Sequence, residues 1–162
     1  MILQAYKGLN SRQEAIPFDK NGFLPLITAP MYSVVDENNY QLFLDNKIQV
    51  CLPRGSSLRY NSTDYFSSVS LEDFIRYFIE GEEDIIPDEK YKICIDTANG
   101  NMPQLHETIR KAKSLHGNNL IIMAGNVGSV EAFVELAKTG CDYIRVGIGG
   151  GGGCNTTSNT GV

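Results

Sequence analysis

The chain has 162 residues, 42% hydrophobic and 20% charged, the balance of one globular domain able to bury a real core. A net charge of −5 removes the electrostatic case for nucleic acid or an anionic membrane as partner. Apolar runs such as Leu120–Ala124 are far too short to span a bilayer, and the opening MILQAYKGLNSRQEAIPF lacks the layout of a signal peptide.

Short apolar runs alternate with helical patterns along the chain, which signals parallel β/α units. Phe23–Ala29 (FLPLITA) reads as a first strand, and Asp36–Asn46 as a short helix with Tyr40, Phe43 and Leu44 on one side. Ile48–Leu52 is a second strand, followed by the polar stretch Arg54–Asp64 and a third strand at Tyr65–Val69. Ser70–Asp73 (SLED) has the shape of a capping box, and Leu71, Phe74, Ile75, Phe78 and Ile79 recur behind it at helical spacing. Lys92–Ile95 is a strand ending in DTANG; Pro103 then suits the first turn of a helix facing inward with Leu105, Ile109, Ala112 and Leu115. Leu120–Ala124 is a strand ending in GNVGS, where Ser129 can cap a helix with Val130, Phe133, Val134 and Ala137 as its apolar face. Asp142–Val146 is the last strand, and a glycine-rich loop follows it. The count is about six strands. The pattern alone fits a closing β/α barrel or an open doubly wound sheet, and a complete barrel typically needs about 250 residues.

Three strand ends carry chemistry: Asp96-Thr97-Ala98-Asn99-Gly100, Gly125-Asn126-Val127, and Gly147 through Cys154. Taken singly they are helix caps and tight turns. Together they share the face on which parallel α/β folds hold ligands. The glycine loop admits three uses: cradling phosphate with N–H groups, holding a cation with carbonyls, or giving a nucleophilic Cys154 room to move. It lacks the Lys-Ser/Thr of a P-loop, and its match to G-x-G-x-x-G is one that any polyglycine makes. Cys51, Cys94, Cys141 and Cys154 form no C-x-x-C pair, and His106 and His116 share one helical segment. A reduced, cytoplasmic protein without zinc is expected.

ICIDTANG, AGNV, RVGIGGGGGCNTTSNTGV and the earlier LPLITAPM, in this order, resemble the IMP dehydrogenase/GMP reductase family. The resemblance runs from Leu24 to Val162 and is densest from Ile93 onward. It implies a single, partial (β/α)8 TIM barrel over residues 1–162, with Tyr143–Val146 as the sixth of eight strands. The remaining strands and their phosphate-binding loops would lie beyond Val162. The chain would then be inactive alone, and a homo-oligomer or a complementing C-terminal segment is the expected partner.

The same resemblance assigns roles. Cys154 would attack C2 of the purine, and Thr156 would assist at the leaving or entering group. Ala29, Met31, Gly151 and Gly152 would contact a purine nucleoside monophosphate, GMP or IMP. Asp96, Thr97, Ala98 and Asn126 would line the nicotinamide side, while carbonyls of Gly149, Gly151 and Cys154 would hold a monovalent cation, K+. No CBS regulatory module fits between Leu52 and Asp96, which leans the resemblance towards an NADPH-dependent GMP reductase. A CBS-less IMP dehydrogenase using NAD, or a catalytically dead nucleotide-binding or interaction module, are the alternatives. The chain departs from the family pattern at Tyr32, which replaces an aspartate, and at Pro53-Arg54, which replaces a histidine-containing turn. Gly150-Gly151-Gly152 also replaces Pro-Gly-Ser, so a phosphate-contacting serine is lost at Gly152.

Overall fold

The computed structural model describes residues 18–58, 62–82 and 90–149. Their elements are α1 (Tyr40–Asp45), β1 (Val50–Leu52), β2 (Tyr65–Val69), α2 (Leu71–Phe78), β3 (Tyr91–Asp96), α3 (Pro103–His116), β4 (Leu120–Val127), α4 (Val130–Ala137) and β5 (Tyr143–Val146). The strands form one sheet in the order β1-β2-β3-β4-β5, and every neighbouring pair is parallel. None of the described helices is long and apolar enough to cross a membrane.

The sheet is curled. Phe66 on β2 and Tyr143 on β5 meet edge to face with ring centroids 5.5 Å apart, whereas three strand spacings in a flat sheet would hold them about 14 Å apart. The segment before Ala29 and strand β5 accordingly border one hollow of about 490 Å3, with Cys51 and Met123 on its wall. This is the partial α/β barrel that the sequence implies.

Strand periodicity divides the residues between two faces. Ile93 and Ile95, with Leu120, Ile122 and Ala124, pack outward against Phe74 and Phe78 of α2, Leu105, Ile109 and Ala112 of α3, and Ala132 and Leu136 of α4. Cys51, Phe66, Cys94 and Met123 form a separate cluster on the concave side. At about 1.5–3 kcal/mol for each fully buried large apolar side chain, the outer layer is the main support of the fold.

Several elements differ from the sequence expectation. Phe23–Ala29 contributes only the isolated bridge Ile27↔Gln49, so the described residues hold five strands and a bridged segment in the place of a sixth. Pro25 has no N–H to donate, and Leu26 N–H turns back onto Leu24 O at 2.7 Å. The predicted helix over Asp36–Asn46 begins only at Tyr40, because Asp36 Oδ1 accepts from the N–H groups of Asn38 and Asn39 and holds a turn there. Leu115 is 59% exposed, and the predicted apolar face of α4 lies outward, with Val130 at 73%. The helix VEAFVELA is apolar on more than one side, and the stripe that packs inward is Ala132 with Leu136.

Two serines separate the effects of a made and an unmade hydrogen bond. Ser70 caps α2: its Oγ accepts from Asp73 N–H at 3.0 Å and donates to Asp73 Oδ2 at 2.7 Å. Ser67 Oγ is buried with no partner among the described residues. Chemical denaturation of the full chain should show Ser70→Ala losing about 1 kcal/mol. Ser67→Ala should leave stability unchanged or raise it by up to about 1 kcal/mol.

Candidate functional site

Because every strand runs the same way, their carboxyl ends form one rim. β1 delivers Pro53-Arg54 there, β3 delivers Asp96, β4 ends on Gly125-Asn126-Val127 and β5 leads into Gly147. Beyond the bridged segment, Ala29 to Met31 reach the same rim. Thr28 fixes this side by accepting Cys51 N–H at 2.9 Å and donating to Cys51 O at 3.3 Å.

Asp96 lies between two guanidinium groups. Arg145 Nη1 donates to Asp96 Oδ1. Arg54 Nη2 donates to the Asp96 backbone carbonyl and lies 3.4 Å from Oδ2. Arg145 is on the concave face because alternation along β5 points Tyr143 and Arg145 inward together. Burial lowers the Arg145 pKa, but Cys94 and Asp96 outweigh it and the net shift is upward. Its Nη1 also approaches Cys94 Sγ at 3.9 Å.

Backbone bonds lace adjacent strand ends. Thr97 N–H donates to Gly125 O at 2.9 Å, Asn126 N–H to Thr97 O at 2.7 Å, and Gly100 N–H to Asn126 O at 2.7 Å. The Asn126 side chain donates from Nδ2 to Gly147 O at 2.6 Å, and Gly147 N–H returns to Val127 O at 2.8 Å. On the far side, His106 Nε2 lies 3.1 Å from Gly100 O. The closeness explains one glycine: a Cβ on Gly100 would sit 2.8 Å from Asn126 O and from Val127 Cγ1.

A cavity of about 500 Å3 opens at this rim. Seven residues singled out in the sequence line it together: Ala29, Met31, Asp96, Thr97, Ala98, Asn126 and Gly149. Cys154, Thr156, Gly151 and Gly152 lie outside the described residues. The sequence reading assigned no role to Arg54 or Arg145, which supply the positive charge of the cavity wall. A signal existed for Arg145: an arginine inside a strand-like run needs a counter-charge when half-buried, and Asp96 is an acid at another strand end. Among the described residues, no three His, Cys, Asp or Glu side chains gather to hold a metal ion.

The comparisons agree with this geometry. The sequence profile described as IMP dehydrogenase / GMP reductase domain matches residues 82–162. A GMP reductase of Helicobacter pylori is 29% identical over 94% of this chain and 50% of its own length. A GMP reductase of Staphylococcus carnosus is 32% identical over 85% of this chain and 45% of its own length. The crystal structure of an inosine 5' monophosphate dehydrogenase from Legionella pneumophila superposes on all of this chain and 53% of its own, with a TM-score of 0.64 and 25% identity. The chain thus spans about half the length of these relatives.

The lacing has a mechanical consequence. Gly100→Ala pushes a methyl group into the β4 end and should lower the unfolding free energy by about 1–3 kcal/mol, read by urea denaturation of the full chain.

Proposed function

The chain belongs to the IMP dehydrogenase / GMP reductase family, and we propose that it forms part of an NADPH-dependent GMP reductase converting GMP to IMP and ammonia. The observation that carries this reading is the shared cavity: residues from four separated segments, Ala29–Met31, Asp96–Ala98, Asn126 and Gly149, line one space of about 500 Å3. The whole activity is proposed for the chain together with a segment equivalent to the rest of its relatives, supplied by a longer polypeptide, by a partner or within a homo-oligomer. A cytoplasmic setting is part of the same proposal.

In this mechanism the Cys154 thiolate adds to C2 of the guanine ring, and the 2-amino nitrogen leaves as ammonia with Thr156 assisting its departure. Asp96, Thr97, Ala98 and Asn126 would hold a reduced nicotinamide, which would supply the hydride needed at C2 and leave as its oxidised form, while the Cys154 thiolate is released and IMP is the product. The described residues fit a nicotinamide and its ribose, because the cavity combines the polar Asp96, Thr97 and Asn126 with the apolar Ala98 and Ile148. Arg145 holds the Asp96 carboxylate in place, and Asn126 anchors the start of the glycine loop through Gly147 O. Met31 and Ala29 form an opposite wall suited to the purine. The carbonyls of Gly149, Gly151 and Cys154, which the family resemblance assigns to a monovalent cation, are proposed to hold K+.

A second reading, IMP oxidation with NAD, is favoured by the likeness to the Legionella dehydrogenase. The cofactor that enhances nucleotide binding, NADPH or NAD, separates the two. A catalytically dead module would bind nucleotide without turnover when complemented.

Thiol reactivity tests the central assignment. Cys51 and Cys94 are buried; the Cys51 thiol is held well above its ordinary range by its hydrogen bond to Cys94 and by burial, and Cys94, which that hydrogen bond draws downward, is 0% exposed and closed to the reagent. Burial pushes Cys141 up to about 11, so only a small fraction is thiolate at neutral pH. Iodoacetamide at pH 7.5 should therefore alkylate Cys154 first, by peptide mapping, and saturating GMP should slow that reaction at least about tenfold. Equal labelling of all four cysteines, or no protection by GMP or IMP, removes Cys154 as the nucleophile.

A further inference from the structure

We propose that Arg54 forms a phosphate-binding subsite on the outer lip of the rim cavity; the nucleotide identity of the ligand rests on the reading above, whereas the charge argument does not. The charged residues lining this cavity are Arg54, Arg145 and Asp96. Two guanidinium groups facing one carboxylate leave an uncompensated positive charge. Arg145 is the partner that stays: its side chain is 26% exposed, it bonds Asp96 Oδ1, and Cys94 lies behind it. Arg54 is the more exposed partner: its side chain is 49% exposed, its ion pair with Oδ2 is 3.4 Å long, and its close hydrogen bond goes to the Asp96 backbone carbonyl and not to the carboxylate.

Releasing an exposed ion pair costs little, and a guanidinium binds phosphate through two parallel charge-assisted hydrogen bonds. Among the described residues, the Arg54 bonds run through Nη2 alone and end on Asp96, which leaves Nη1 and Nε to face a ligand. A Cβ at Gly55 would lie 3.9 Å from the Tyr32 hydroxyl, which places that hydroxyl near the backbone following Arg54. Because Arg145 already neutralises Asp96, a phosphate on Arg54 meets no unpaired carboxylate from the cavity wall.

The phosphate has two sources within the proposed reaction, the nucleoside monophosphate and the dinucleotide, and titration calorimetry on the full chain distinguishes them. The ligands are inorganic pyrophosphate, GMP against guanosine, and NADPH against reduced nicotinamide riboside. Arg54→Gln is expected to weaken pyrophosphate, and one of the two phosphate-bearing nucleotides, about tenfold or more. The matching phosphate-free ligand should be unaffected, and Arg54→Lys should recover part of the loss. Pyrophosphate binding that depends on Arg54 without binding of GMP or NADPH keeps the subsite and overturns the nucleotide reading. Unchanged affinity for every phosphate-bearing ligand, or equal weakening of guanosine and nicotinamide riboside, overturns the subsite.

Discussion

The curl of the sheet is the constraint on which the rest of the molecule depends. Parallel neighbours cannot be joined by a tight hairpin, so the chain must travel back over the outer face before each new strand, usually as a helix. With strands added in strict sequence order, those crossovers accumulate on one side and leave a concave face on the other. Phe66 and Tyr143 touch across that hollow, and Arg145 reaches from β5 across β4 to Asp96 on β3. In a flat sheet Phe66 and Tyr143, three strands apart, could not touch.

The two ends of the strands are specialised differently. Near the amino ends, Lys113 Nζ donates to Leu120 O and to Asp142 Oδ2, both at 2.8 Å. Ile122 N–H donates to the same Asp142 oxygen at 2.8 Å. This clamp joins α3 to β4 and to the turn before β5. At the carboxyl ends the polar groups are also linked, but they surround a cavity and carry one cation too many. A parallel α/β fold commonly divides its labour this way, with stability at one end and ligand chemistry at the other.

Much of this was legible in the sequence because the signals were local. Ser70 and Ser129 cap the helices that their spacing predicts, and Pro103 opens α3. DTANG, GNV and the start of the glycine loop end adjacent parallel strands, so strand order alone places them together. Other features depend on long-range packing. The inward stripe of α4 could not be chosen by periodicity, because VEAFVELA offers more than one apolar face. The partnership of Arg54, Asp96 and Arg145 joins residues far apart in sequence, and strand register sets it: Gly125 is aligned with Asp96 on one side and Arg145 on the other. Two departures from the family pattern, Tyr32 and Pro53-Arg54, likewise become neighbours only in three dimensions, through Gly55.

The rim also sets what a glycine-rich loop can achieve. Gly147 is tied on both sides, through its N–H to Val127 O and through its O to Asn126 Nδ2. Its φ of +111° is a backbone conformation that glycine adopts without strain. From Gly149 to Cys154 the chain can extend at most about 17–18 Å, while a cavity of about 500 Å3 is roughly 10 Å across if taken as a sphere. Chain length alone therefore puts every wall of the cavity within span of a residue at position 154. Holding any single arrangement of such a run costs about 1–2 kcal/mol for each ordered residue, and glycine loses the most freedom. If Cys154 is the nucleophile proposed above, a bound ligand would have to offset that cost before the thiol is positioned. On the proposed reading of Cys154 as nucleophile, the linked rim would present the ligand and the run after Gly149 would bring the thiol to it.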